Sequence, residues 1–342
     1  SGTISDSTVK SSTITNDADS KGSALGGIAG ENTGTIKDTS SVGEKNNPVT
    51  VLSNAADVSM GGAVGRNYGE MAGGFGTVTG EVYANLKFAS GVLYGNVGGV
   101  VGANGGTVNQ YQFTGTVEGT ANNSQNAPTY DPNSDTETNG AVIYGYGGIA
   151  GVNGITEGEK EHSGTIYNCT VKTASITGQG DANNIVNVGG VAGVNHLGST
   201  IHRITFSGEE KYSLMNANSS IYLKNAGTAS VYVGTGENSG NFGHVGGIVG
   251  LNSGKISDIN VDKTKDPIGF DTKVDNTTVF VENYRGHAGG IVGYNRRTGI
   301  VKNVATGKSW VVFAVANAQD NGCGGIVGYQ ASEYGLQNCF NR

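Results

Sequence analysis

The string Gly-Gly-apolar-apolar-Gly-x-Asn recurs eight times and restricts the fold of this chain more than any other feature. Successive copies are 35, 37, 49, 42, 57, 43 and 35 residues apart, and the last copy ends in Gln330 in place of Asn. A unit of this length cannot bury its apolar face alone, so repeated units must stack against each other. The copies begin at Gly26, Gly61, Gly98, Gly147, Gly189, Gly246, Gly289 and Gly324.

Two further segments complete each repeat. Most copies are followed by Gly-x-[Ile/Val]-x-[Asn/Asp], as in GTIKDT from Gly34 and GTIYNC from Gly164, and then by alternating apolar and polar residues, as in TVTGEVYANLKF from Thr77. Each repeat thus offers about three short strands separated by turn residues. The chain has 36 Val and 20 Ile but nine Leu. Since β-branched side chains favour strands, a helical fold is excluded.

Stacked strands of this kind predict an all-β, right-handed parallel β-helix (β-solenoid) of about eight coils with loop insertions. Apolar residues of the motif should point inward, and the terminal Asn should adopt a left-handed conformation and hydrogen-bond the Asn above and below it. The expected inward residues are Ile28, Val64, Val100, Ile149, Val191, Ile248, Ile291 and Ile326. The expected structural ladder is Asn32, Asn67, Asn104, Asn153, Asn195, Asn252 and Asn295.

The Gly-[Ile/Val]-[Ala/Val]-Gly core, followed by Asn and then by Gly-x-Ile-x-Asn-Cys, resembles the GLUG motif. Repeats of that type occur in large bacterial surface proteins and adhesins, and in the N-terminal regions of metallopeptidases that cleave immunoglobulin A1. The resemblance covers nearly the whole chain and implies an extracellular protein, secreted or on the bacterial cell surface. The chain has no His-Glu-x-x-His, so it lacks the zinc-site motif of those peptidases.

We interpret residues 1–342 as a single GLUG-type repeat array with insertions near 118–145 and 206–245. The N-terminal residues Ser1-Gly2-Thr3-Ile4 match the second segment of the repeat without a preceding Gly-Gly, and the chain stops shortly after another such segment. Both ends therefore interrupt a repeat, and we expect the array to be part of a longer protein.

Composition limits the partners. Lys and Arg number 21 and Asp and Glu 28, a net charge of −7, which offers no attraction to nucleic acid. No apolar run approaches the roughly 18 residues that span a bilayer, so we expect no membrane insertion of this segment. Three cysteines are too few for a disulfide framework. Buried thiols are expected, and a Cys323–Cys339 bridge is the alternative.

Candidate binding residues fall into two groups. Asp131, Asn133, Asp135 and Glu137 place oxygen donors at alternate positions, a spacing that fits calcium, although the turn glycine and the bidentate Glu of a calcium loop are missing, which favours a solvated loop. Tyrosines are numerous, and we expect many of them in loops or at coil corners, where their rings could stack on sugars or shield sheet edges. The tyrosines assigned to ligand binding are Tyr111, Tyr130, Tyr144, Tyr146, Tyr284 and Tyr294.

Catalytic motifs are missing from the sequence. There is no Gly-x-Ser-x-Gly, and the carboxylates that follow the second segments, such as Asp38 and Asp258, alternate with Lys, Asn and Arg, so no acidic stripe persists. The cluster Glu157, Glu159, Glu161 and His162 is interpreted as a charged surface loop. We therefore expect no enzyme activity and no cofactor apart from the calcium considered above.

These observations together predict a monomeric adhesin-like recognition module that binds glycans or proteins of a host or a neighbouring cell through loops on the solenoid. Two alternatives remain. The chain is either a passive spacer that presents another domain, such as that of a metallopeptidase, or a carbohydrate-active β-helix enzyme.

Overall fold

The computed structural model describes residues 2–38, 40–74, 79–89, 95–121, 144–180, 185–208, 212–213, 228–229, 231–235, 243–262, 269–270, 277, 279–283, 285–307, 310–314 and 322–341. The regular structure within these ranges consists of strands, numbered β1 to β42 in chain order. Within the same ranges, no helix is long and apolar enough to cross a membrane. The prediction of an all-β fold of stacked parallel strands is confirmed, whereas the right-handed sense and the number of coils stay predictions.

Sheets A and B hold the second and third segments of the repeats. In spatial order, sheet A contains β1 (Thr3–Ser5), β6 (Thr35–Lys37), β11 (Glu70–Ala72), β15 (Thr107–Asn109), β21 (Thr165–Tyr167), β25 (Thr200–His202), β32 (Lys255–Ile259), β38 (Ile300–Ala305) and β42 (Leu336–Phe340). Sheet B contains β2 (Thr8–Val9), β7 (Ser41–Val42), β12 (Gly80–Phe88), β16 (Tyr111–Ala121), β22 (Thr170–Gly180), β29 (Val231–Gly234), β35 (Val279–Asn283) and β39 (Trp310–Ala314), with β3 (Thr13–Thr15), β8 (Val49–Ser53) and β26 (Thr205–Ser207) paired beside them.

Sheets C and D are both built around the Gly-Gly motif. Sheet C contains β4 (Ala24–Gly26), β9 (Val58–Gly61), β13 (Gly95–Gly98), β17 (Tyr144–Gly147), β23 (Val186–Gly189), β30 (Gly243–Gly246), β36 (Gly286–Gly289) and β40 (Gly322–Gly324). Sheet D contains β5 (Ala29–Asn32), β10 (Val64–Asn67), β14 (Val101–Asn104), β18 (Ala150–Asn153), β24 (Ala192–Asn195), β31 (Val249–Asn252), β37 (Val292–Asn295) and β41 (Val327–Gln330).

Among the residues that the structure describes, three antiparallel strand pairs lie outside the four parallel sheets. They are β19 (Ile155–Glu157) with β20 (Lys160–His162), β27 (Tyr212–Ser213) with β28 (Thr228–Ala229), and β33 (Val261–Asp262) with β34 (Gly269–Phe270). The first pair is the charged segment of the fourth repeat, which forms a hairpin. Most of the insertion predicted near 118–145, and much of that near 206–245, lies outside the described residues.

The Gly-Gly motif makes a bend between two strands and not the single short strand that the sequence suggested. In the second copy, Gly61 ends β9, Gly62 and Ala63 form the bend, and Val64 begins β10. Coils approach closely at this bend, where a Cβ on Gly62 would lie 2.3 Å from the carbonyl oxygen of Gly99. The bend also carries a backbone hydrogen bond between neighbouring coils, because Gly62 N donates to that oxygen at 3.1 Å. Glycine is therefore required here by close packing.

The apolar core runs along the inside of the stack. The motif residues predicted to face inward all belong to it: six are fully buried, and Ile28 and Ile326 pack against it half-buried. The long strands alternate as expected for a sheet with one inner face, as β12 does with Val82, Ala84 and Leu86 inward. The parallel register places corresponding residues directly above one another, as with Val64 and Val101.

The predicted Asn ladder is present. Each ladder side chain donates from Nδ2 to Oδ1 of the next coil, and the Asn104–Asn153 bond is 2.8 Å long. Gln330 takes the last place by accepting from Asn295 at 3.0 Å. The other links, all between 2.8 and 2.9 Å, join Asn32 to Asn67, Asn67 to Asn104, Asn153 to Asn195, Asn195 to Asn252 and Asn252 to Asn295.

The left-handed conformation predicted for the ladder residues is wrong, because all seven are the last residues of sheet D strands and none has a positive φ. Left-handed residues occur instead in the second segment of the repeat, directly after a sheet A strand or, in β32, β38 and β42, within the strand. Asp and Asn tolerate this conformation through local hydrogen bonding, which explains the [Asn/Asp] of that segment. The column comprises Asp6, Asp38, Gln110, Asn168, Arg203, Asp258, Asn303 and Asn338, with φ between 48 and 62°.

Candidate functional site

A groove runs along the solenoid between one face of sheet C and one face of sheet D. We call it the lateral groove. Its sheet C side is a polar column in which Asn187, His244 and His287 are in register. Its sheet D side is the x residue of each Gly-x-Asn, a column that is likewise in register. That second column comprises Glu31, Arg66, Ala103, Val152, Val194, Leu251 and Tyr294, followed by Tyr329 of the last copy, which ends in Gln330.

Large side chains fill the groove toward the C-terminal coils. The rings of His244 and His287 stack in parallel with centroids 5.1 Å apart, and their Nδ1 atoms are 3.2 Å apart. Tyr294 lies 5.0 Å from the first ring, and Tyr329 lies 4.7 Å from the second. These contacts show that the two columns face each other. With both histidines nearly fully buried, this part of the groove has no room for a ligand.

Smaller residues leave the groove open at the third and fourth copies of the motif. Ala103 and Val152 occupy the positions that Leu251 and Tyr294 hold further along, and a cavity of about 400 Å³ lies above them. We call this cavity the open segment. It combines an apolar floor with a polar rim, whose members are Asp57, Ser59, Arg66, Tyr68, Asn96, Thr156, Glu157 and His196.

Hairpin β19–β20 forms one wall of the open segment. The Tyr68 hydroxyl donates to Glu157 Oε1, and the Tyr68 ring meets His162 edge to face at 5.0 Å. Partial burial and the bond to Glu157 raise the pKa of Tyr68 to about 12, so the phenol stays protonated at physiological pH. The hairpin crosses the coil corner above Gly105, where a Cβ would lie 2.7 Å from that of His162. Glycine at this corner therefore allows the hairpin to lie against the solenoid.

A second cavity, of about 260 Å³, lies on the other side of the hairpin base. We call it the arginine cavity, because Arg296 and Arg297 line it after the ladder residue Asn295. It shares Gly154, Ile155, Thr156 and His196 with the open segment, so the two cavities are neighbours. Its remaining lining residues are Glu161, His162, Leu197, Ser253 and Thr298.

The structure corrects the predicted location of four tyrosines. Tyr111, Tyr144, Tyr146 and Tyr294 lie in strands and are at most 4 % exposed, so their rings offer no face to a ligand in solution. They are buried because the strand register turns them into the stack or the lateral groove. Burial raises the pKa of the Tyr111 phenol above its usual value. Tyr130 and Tyr284 lie outside the described residues.

The predicted calcium ligands Asp131, Asn133, Asp135 and Glu137 also lie outside the described residues. Within the described ranges, no three or more His, Cys, Asp or Glu side chains converge as a metal site would require. Cys169, Cys323 and Cys339 are free thiols. Burial raises the pKa of Cys169 to about 12, so this thiol is inert, while Cys323 is exposed.

Sequence reasoning missed the lateral groove. Its signal was the size of the x residue in Gly-x-Asn, which changes from Ala103 and Val152 to Leu251 and Tyr294 along the chain. The face to which this residue points could not be read from the motif. Comparison of the chain with protein-family models, with curated proteins and with solved structures gave no match.

Proposed function

We propose that this chain is a recognition module of the bacterial cell surface or of a secreted protein, and that it binds a glycan in the open segment of the lateral groove. One observation carries the proposal: a cavity of about 400 Å³ in which an apolar floor faces carboxylate, guanidinium, amide and hydroxyl groups. Sugars need both, because their hydroxyls take directional hydrogen bonds while their C–H faces pack on apolar surface. The volume falls within the usual ligand range of about 300–1,000 Å³.

The GLUG resemblance supports the same proposal, since such repeats occur in adhesins. Display of several copies on one cell would raise the avidity of a weak site. A glycan array identifies ligands, and calorimetry then measures the effect of Ala103→Leu. Leucine stands in the same register column at Leu251, so the solenoid accommodates this side chain. We expect at least about tenfold weaker binding, a loss of roughly 1.4 kcal/mol, because the leucine fills the cavity floor.

The matched control is Val194→Leu, in the same column but outside the cavity lining, which should bind as the wild type does. Wild-type affinity in Ala103→Leu would refute the open segment as the site. Binding of no glycan would favour the spacer. Release of reducing ends from a bound glycan would instead support hydrolysis by Asp57 and Glu157, the two carboxylates of the cavity.

A further inference from the structure

We propose that the arginine cavity binds the carboxylate of an acidic sugar, so that the chain recognises an oligosaccharide containing uronic or similar acids. This inference rests on the proposed function and names the class of glycan. The residues that line the cavity include two arginines, Arg296 and Arg297, and a single acidic residue, Glu161. Arginine is the residue best suited to a carboxylate, because its planar fork can donate two parallel hydrogen bonds.

A carboxylate already occupies one of these forks. Arg297 Nε and Nη2 both lie 2.6 Å from Glu333 Oε1. The side chains of this pair are 60 and 61 % exposed, and ion pairs so open to solvent add little to stability. A ligand carboxylate can therefore displace Glu333 at small cost. Glu333 acts in this view as an internal competitor that occupies the fork until the acidic sugar arrives.

The other cavity determines which end of the ligand is acidic. Asp57 and Glu157 both line the open segment, where Arg66 is the single cation of Lys or Arg type among the lining residues. Arg66 Nη2 also donates to the Gly22 carbonyl at 2.5 Å, which holds its guanidinium at the rim. Two carboxylates disfavour a third negative charge beside them. The open segment thus favours a neutral ring, and the arginine cavity favours the charged one.

The two cavities are close enough to serve one chain of sugars. Both are lined by Gly154, Ile155, Thr156 and His196 at the base of hairpin β19–β20. An oligosaccharide that crosses the hairpin base at these shared residues would contact the lining of both cavities.

The test compares oligogalacturonate and oligomannuronate with their methyl esters, which remove the charge and keep the rings. For the wild type we expect the acid to bind about tenfold more tightly than its ester, and increasing salt to reduce this preference. In Arg296→Gln and in Arg297→Gln, the ratio of the affinity for the acid to the affinity for its ester should fall to about one, since roughly one charge-assisted contact is lost. Both variants should bind the ester as the wild type does. The control Arg203→Gln, an exposed arginine outside both cavities, should keep the wild-type preference.

Glu333→Gln provides a test that misfolding cannot imitate, because it predicts a gain. Without the competing carboxylate, the acid should bind about two- to fivefold more tightly, as expected for loss of a weak exposed pair. Equal wild-type binding of acid and ester would overturn this inference and leave the glycan site in place. Binding of neither form, with no other glycan bound on an array, would overturn both this inference and the proposed function.

Discussion

At the scale of single residues, the amide ladder resolves a problem that every solenoid bend presents. A buried polar side chain is tolerated only when its hydrogen bonds are made. Asn153 is fully buried, accepts from Asn104 and donates to Asn195, and its Nδ2 also lies 3.2 Å from the Gly164 carbonyl oxygen. Since both ends of each amide are used, the ladder fixes which residues stack and so helps to hold the register of neighbouring coils.

Asn153→Ala should therefore be strongly destabilising. The substitution leaves Asn104 Nδ2 without its ladder acceptor and Asn195 Oδ1 without its ladder donor, at about 1–3 kcal/mol for each buried group. Urea unfolding should show a loss of roughly 2–5 kcal/mol. Asn32→Ala, at the start of the ladder, removes a single link and should cost about half as much. Equal losses for the two variants would contradict a ladder that is satisfied from both sides.

The buried His244–His287 pair makes stability depend on pH. Burial lowers the pKa of His244 well below its usual value, and the nearby charges of His287 and Arg296 lower it further. The packed phenols of Tyr294 and Tyr329 complete these surroundings. The folded chain thus binds fewer protons at this site than the unfolded chain, whose histidine titrates near 6.5. The stability contributed by neutral His244 is complete above about pH 6.5 and is lost as the pH falls below it.

Urea midpoints measured between about pH 7.5 and pH 5 should consequently fall faster for the wild type than for His244→Asn. Asparagine is the residue at the register position before it, Asn187, and it does not titrate. Expressed as the free energy of unfolding against pH, the slopes of the two proteins should differ by up to about 1.4 kcal/mol per pH unit, the value for one proton. A wild-type slope in His244→Asn would show that this pair has no part in the acid response.

At the scale of strands and turns, the sequence predicted the stacking residues correctly and the backbone around them less well. Ile149 and Val191 face inward and Asn104 bonds Asn153, because side-chain chemistry alone requires both. That Gly147 ends one strand and Ala150 begins another could not be deduced, since a glycine pair is compatible with a strand interior as well as with a bend. The prediction gave the left-handed conformation to the ladder asparagines, whereas the residues that adopt it are Asn168 and the corresponding residues of the second segment in other repeats.

The candidate site was harder to predict than the fold, because it depends on which residues face each other across two sheets. The segment from Glu157 to His162 was predicted as a charged loop, whereas the structure pairs it in a hairpin with Ile155 opposite His162. Sequence alone does not reveal that Tyr68, 89 positions earlier, binds Glu157. The tyrosine prediction was wrong for Tyr146 for the same physical reason: a ring followed by glycine looks like a corner residue, yet strand alternation turns it inward.

At the scale of the whole molecule, the stack behaves as a one-dimensional array in which each coil contacts mainly the coils above and below it. The strand order of sheets C and D follows chain order, so neighbouring strands in these sheets come from successive repeats. Stability in such arrays is the sum of local terms and nearest-neighbour terms. Loss of packing in one coil should therefore weaken that coil and its neighbours and leave distant coils protected.

Ile149→Ala tests this property at a central coil. Ile149 is fully buried, and truncation of a buried isoleucine to alanine costs about 2–5 kcal/mol. In hydrogen-exchange measurements, the backbone amides of β17, β18 and the strands stacked on them should lose protection, while those of β36 and β37 keep wild-type protection. Ile326→Ala, at a half-buried position of the last motif, should cost less and affect only the C-terminal strands. Uniform loss of protection along the chain in Ile149→Ala would show instead that the solenoid unfolds as one cooperative unit.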